Sequence, residues 1–167
     1  AENSDFTLLG STIISNDEAE LGGGLFLEGG DSFLADNVVE NNKADYGGGL
    51  AVYEGHAELS GNRIVGNHSW AHGGGVLFYR VDGVLAGNII TGNVGGPGGG
   101  ASLQGDVSIL HNLISHNSGD FGAGLALWEG SMSLIGNTIA GNQSGGVGGG
   151  ISISYHSDMD PQRKLLF

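Results

Sequence analysis

A run of three glycines followed by an aliphatic or small residue returns along this chain at a nearly constant interval. The copies are Gly22-Gly23-Gly24-Leu25, Gly47-Gly48-Gly49-Leu50, Gly73-Gly74-Gly75-Val76, Gly98-Gly99-Gly100-Ala101, Gly122-Ala123-Gly124-Leu125 and Gly148-Gly149-Gly150-Ile151, with successive starts 25, 26, 25, 24 and 26 residues apart. A period of this length is the mark of a solenoid, in which each repeat buries its apolar face only by stacking on its neighbours. The surface of such a molecule is organised in columns of equivalent positions, so its chemistry must be read down the columns.

A second mark lies between the triplets: an Asn, then an aliphatic two residues on, then another Asn. It appears as Asn37 to Asn42, Asn62 to Asn67, Asn88 to Asn93, Asn112 to Asn117 and Asn137 to Asn142, with a degenerate copy from Ser11 to Asn16. Three residues before the first Asn stands a further aliphatic: Leu8, Leu34, Leu59, Leu85, Ile109 and Leu134. After each triplet the pairs Leu25/Leu27, Leu50/Val52, Val76/Phe78, Ala101/Leu103, Leu125/Leu127 and Ile151/Ile153 alternate with period two, as half-buried strands do. The pattern predicts an all-β fold, a right-handed parallel β-helix with about 25 residues and three short strands per rung. Residues 1–155 would form five full rungs with partial rungs at both ends, and residues 156–167 a non-repeat tail.

The recurring polar residues have physical reasons in such a fold. An Asn at a bend can adopt left-handed backbone geometry and can bond its neighbour in the next rung through its amide. Glycine permits positive φ or close backbone approach, which a Cβ obstructs. Because Ala123 replaces one middle glycine, the first and third positions are expected to carry the strict requirement. Gly122→Ala should then be worse than Gly23→Ala.

Glycine-rich GG-apolar motifs followed by apolar-x-x-Asn motifs, such as Ile64 to Asn67, resemble the repeats of polymorphic outer-membrane proteins and related β-helical autotransporter passengers of bacterial surfaces. The resemblance covers roughly residues 6 to 153 and implies a surface-exposed adhesive or scaffolding role. That family typically has Phe at the apolar position and often carries cysteines, whereas this chain has none.

Two columns could carry function. Asp5, Asp31, His56, Asp82, Asp106 and Ser131 align six residues before the first bend position. Stacked carboxylates repel unless a cation lies between them, and calcium is the hard ion that Asp5, Asp31, Asp82 and Asp106 would suit. The plainer account is that Asp favours the turn through its own backbone hydrogen bond. The second column holds Glu28, Tyr53, Tyr79, Gln104, Trp128 and Ser154, with Glu54, Arg80 and Glu129 beside it. Tyr53, Tyr79, Trp128, Glu54 and Glu129 would together suit a glycan, although stacked aromatics also stabilise adjacent rungs without any ligand. Glu54 and Arg80, on neighbouring rungs, should form a surface ion pair.

Other classes fit less well. Formal net charge is −13, from 18 acidic and 5 basic residues, which excludes a nucleic-acid partner needing clustered cations. No apolar run is long enough for a membrane-spanning helix. His68, His72 and His116 could be read as a transition-metal set, but no carboxylate is paired with them by spacing. Polysaccharide lyases and hydrolases also use β-helices, yet Lys43, Arg63 and Arg80 fall in three different columns and the bends are short. Neither end shows a capping helix, so self-association or stacking on neighbouring β-helix segments is expected. The favoured function is an extracellular or bacterial cell-surface structural or adhesive solenoid, the alternative a carbohydrate-binding or polysaccharide-cleaving one.

Overall fold

The computed structural model of the protein describes residues 5–154. Every named element is a short strand, and every strand pair is parallel. The first sheet stacks Phe6–Leu9, Asp31–Ala35, His56–Ser60, Asp82–Ala86, Val107–Leu110 and Met132–Ile135. The second stacks Thr12–Ile14, Val38–Glu40, Arg63–Val65, Ile89–Thr91, Leu113–Ser115 and Thr138–Ala140. A fourth sheet, from the residues after each triplet, stacks Leu25–Glu28, Leu50–Tyr53, Val76–Tyr79, Ala101–Leu103, Leu125–Leu127 and Ile151–Ile153. These are the three strands expected in each rung.

Between the second and fourth sheets lies a third, where a bend was expected. It joins Ala19–Leu21, Lys43–Tyr46 and His68–Ser69, and separately Ser118–Phe121 and Gln143–Val147. Val94 links the two halves through bridges to His68 and Ser118. The gap coincides with Gly95-Gly96-Pro97, where Pro97 has no N–H to donate. This sheet has no aliphatic column because its inward positions are small: Ala44 and Ser69 are each 2 % exposed.

Inside the coil, the aliphatic columns form one continuous core. Leu34, Leu59, Leu85 and Ile109 stack from the first sheet, Val39, Ile64, Ile90 and Ile114 from the second, and Val52, Phe78, Leu103 and Leu127 from the fourth. At the two bends flanking the second sheet, two asparagine ladders run parallel to this core. Asn67 shows how they work. Its Oδ1 accepts from the backbone N–H and Nδ2 of Asn42, at 3.0 and 3.1 Å. Its own Nδ2 donates to the Val39 carbonyl at 2.9 Å and to Asn93 Oδ1 at 3.0 Å. All the bonding capacity of the side-chain amide is thereby used, in a fully buried residue that ties three successive rungs.

The ladder asparagines do not adopt left-handed geometry. That conformation falls one residue earlier, at Asp36, Gly61, Gly87 and His111 before the first ladder and at Asn41, Gly66, Gly92 and His116 before the second. The preceding residue turns the chain, which leaves the Asn free to point inward and bond along the stack.

The glycine triplets depart from expectation in one respect. The first glycine has positive φ, +52° at Gly122, as anticipated. The middle glycine is constrained as well, since a Cβ at Gly23 would collide with the carbonyls of Lys43 and Gly48 in the next rung. Ala123 escapes because the rung against it is irregular: Gln143–Val147 shifts register against Ser118–Phe121 between Gly119 and Phe121. The exception is local and does not relax the middle position elsewhere. The tail 156–167 lies outside the described residues.

In urea denaturation, Asn67→Ala should cost about 3 kcal/mol or more, because it strands several buried donors and acceptors at once. Gly23→Ala and Gly122→Ala should each cost about 2 kcal/mol or more. A mild effect at Gly23 alone would restore the simpler rule drawn from the sequence.

Candidate functional site

On the fourth sheet successive residues after the bend face opposite ways, because side chains alternate along a strand. Leu50 and Val52 point into the core, so Ala51 and Tyr53 point out; the register carries this through every rung. The outer row nearer the triplet reads Phe26, Ala51, Leu77, Ser102, Ala126 and Ser152. Ala51, Leu77, Ser102 and Ala126 are outward and still between 0 and 6 % exposed. Something roofs them.

The roof consists of two rows of larger side chains. Along one side stand Tyr53, Tyr79, Gln104 and Trp128, the column expected from the sequence. Along the other stand Tyr46 and His72, which directly precede the first glycine of their triplets. Between the rows lies a cleft of about 300 Å³ lined by Tyr46, Tyr53, His72, Tyr79, Ser102, Gln104, Trp128 and Glu129. The rings are in mutual contact: Tyr53 and Tyr79 have centroids 5.1 Å apart, Tyr46 stacks on His72 at 6.1 Å, and His72 meets Trp128 edge-on at 5.6 Å. Such pairs add about 0.5–1.5 kcal/mol beyond their buried area, so the walls are held in place.

Trp128 sets the shape of the cleft. Its Nε1 donates to Ser102 Oγ at 2.9 Å, which draws the indole back over the rung below and across to His72. Gln104 interrupts the aromatic row, and the opening lies where it replaces a ring. Its Nε2 donates to Glu129 Oε2 at 3.0 Å and fixes that carboxylate at the cleft. Beyond Trp128 the groove continues into a second depression of about 230 Å³, lined by Phe121, Ala126, Leu127, Trp128, Ser152 and Ser154. The two lie in line along the solenoid axis.

Glu54 and Arg80, which follow Tyr53 and Tyr79 in the chain, form the expected ion pair, at 3.8 Å with both side chains well exposed, a geometry of little energetic weight. The Arg80 guanidinium also lies 5.2 Å from the Tyr79 ring centroid. Burial pushes the Tyr53 phenol up, reinforced by Tyr46 and Tyr79. Burial pulls the His72 imidazole down from its ordinary 6.5. Both groups are therefore neutral near pH 7, which leaves Glu129 as the charged residue among those lining the cleft.

The aspartate column is placed differently. His56 separates Asp31 from Asp82 in the register. Asp82 Oδ1 accepts the Asp106 N–H at 3.3 Å, and Asp106 Oδ1 accepts the Ser131 N–H at 2.7 Å. These carboxylates thus bond the next rung, not their own turn. Arg80 lines the same shallow surface as Asp5, Asp31 and Asp82 and supplies a positive charge there. The three histidines considered together are dispersed: His68 packs on Trp70 at 4.3 Å, His72 lies in the groove, and His116 occupies a left-handed bend position. Among the described residues, no group of three or more His, Cys, Asp or Glu side chains is arranged to hold a metal ion.

The family model of the right-handed β-helix region matches residues 1–162. The chain belongs to that family. No curated protein matches it. In this right-handed β-helix the groove lies on the outer face of the sheet that follows each glycine triplet, and the described residues include no helix long and apolar enough to cross a membrane. Tyr46 was not singled out from the sequence, and His72 only as a possible metal ligand, because both lie in the segment that varies most between repeats. Their signal was positional: each occupies the residue immediately before its triplet.

His72 gives a pH signature with a defined sign. In the unfolded β-helix its imidazole protonates near 6.5, whereas burial in the groove keeps the folded form neutral to lower pH. This group therefore costs no stability above about pH 6.5, and stability falls as pH drops from there toward the folded value. His72→Gln should lose less stability than the parent between pH 7.5 and 5.5 in paired thermal melts. Identical losses would mean that His72 titrates as an exposed group.

Proposed function

We propose that this β-helix is an adhesive, carbohydrate-binding solenoid of the cell surface or extracellular space, with the aromatic groove as its contact strip. The observation that carries this reading is the cleft between Tyr53, Tyr79 and Trp128 on one side and Tyr46 and His72 on the other. Pyranose rings present flat C–H faces and an equatorial girdle of hydroxyls. Neutral aromatic walls suit the faces, and Gln104, Ser102 and Glu129 suit the hydroxyls.

The groove is also linear. Its two depressions follow the stacking axis with Trp128 between them, which fits an extended oligosaccharide better than a compact metabolite. The absence of cysteine and the acidic surface are compatible with a secreted setting, and the likeness of the repeats to polymorphic outer-membrane proteins supports a surface role.

Calorimetric titration with β-linked gluco-oligosaccharides of increasing length tests the proposal. Affinity should rise with length until the ligand spans both depressions. Trp128→Ala and Tyr79→Ala should each weaken it by about tenfold, roughly 1.4 kcal/mol, while Phe33→Ala on the first sheet should leave it unchanged. Binding that ignored Trp128 and Tyr79 would place the ligand elsewhere, and no binding to any β-linked oligosaccharide would remove the reading.

A further inference from the structure

We infer that the sugar taken by this groove is an amino sugar carrying protonated amines, in a polymer such as β-linked glucosamine. This deepens the glycan reading above and rests on it. Three observations converge on a cationic ligand.

The first is Glu129. Its carboxylate lines the aromatic cleft and is held there by the Gln104 amide at 3.0 Å. A carboxylate fixed beside ring faces is a poor neighbour for a uronate and a good one for an ammonium, to which it offers a charge-assisted hydrogen bond. The second is the behaviour of the rings toward the chain's own cation. The Arg80 guanidinium lies 5.2 Å from the Tyr79 centroid, within the range where a cation is drawn to the ring quadrupole. The same face of the molecule thus already accommodates a cation on an aromatic ring, and Glu54, 3.8 Å away, balances that charge. The third is the field of the whole chain. Eighteen acidic residues against five basic ones draw a polycation toward the surface and hold a polyanion off.

Neutral glucose or N-acetylglucosamine polymers would keep the stacking and lose the charge terms. The site should therefore discriminate among chains of the same linkage and length by amine charge alone.

The test compares β-1,4-linked oligomers of glucosamine, N-acetylglucosamine and glucose of equal length, by calorimetry at low salt and at a pH where the amines are protonated. The glucosamine oligomer should bind roughly tenfold tighter than the other two. The margin should shrink toward unity at 1 M salt, where screening acts within about 3 Å. Glu129→Gln should draw the three affinities together. Equal affinities in the parent protein, or a preference that survives both salt and Glu129→Gln, would overturn the inference while leaving glycan binding in place. If none of the three binds, the groove reading falls and this inference with it.

Discussion

The buried amide of asparagine is the interaction on which this structure depends. Each interior ladder residue bonds the rung before it and the rung after it, through both of its amide hydrogens and its carbonyl oxygen. The rungs themselves vary: ladder partners lie 24 to 26 residues apart. The side-chain bonds nevertheless hold between 2.8 and 3.1 Å along both ladders. Differences in repeat length are absorbed elsewhere: in the third-sheet segment, one residue longer from Asn67 to Gly73 than from Asn42 to Gly47, and in the bend from Leu103 to Val107, one residue shorter than that from Phe78 to Gly83. The bends around the second sheet act as fixed points, and the remaining columns inherit their alignment. An unsatisfied amide at this depth would cost more than most single contacts return, so the ladders stand or fall as continuous columns.

From that alignment the groove follows with little further specification. Stacked rungs put like positions about 4.8 Å apart, and the 5.1 Å separation of the Tyr53 and Tyr79 rings is that spacing expressed in side chains. Small residues on the floor at Ala51, Ser102 and Ala126 let rings from either flank fold over it. The substitution of Gln104 into the aromatic row opens a cleft where an unbroken row would have closed one. A solenoid with a uniform column would present a ridge; this one presents a channel because Gln104 stands between Tyr79 and Trp128.

Much of this could be read in the chain before its structure. The glycine triplets and the Asn pairs gave the period, and the aliphatic columns gave the core, because each is repeated strictly enough to survive one or two exceptions. The third sheet was hidden because its inward residues, Ala44 and Ser69, are too small to produce an apolar period. Half of the groove was legible as the column of Tyr53, Tyr79 and Trp128. The other half was not, since Tyr46 and His72 share a column with Pro97 and Phe121 and no residue type recurs there. The aspartates were found in the right register with the wrong partner. Asp106 bonds the N–H of Ser131, 25 residues away, and no local turn preference could reveal that. Ala123 misled for a related reason, because the irregularity that accommodates it belongs to the next rung.

If the ladders fix the columns, the side-chain amides of Asn62, Asn67, Asn88 and Asn93 must be closed to solvent in the native state. Hydrogen exchange of those Nδ2 protons, followed by nuclear magnetic resonance, measures this directly. They should exchange many orders of magnitude more slowly than a free asparagine amide and open only with global unfolding. Rapid exchange of these side chains under conditions where the backbone amides of the same rungs stay protected would show that the coil is held by its strands alone, and would contradict the dependence of the groove on the ladders.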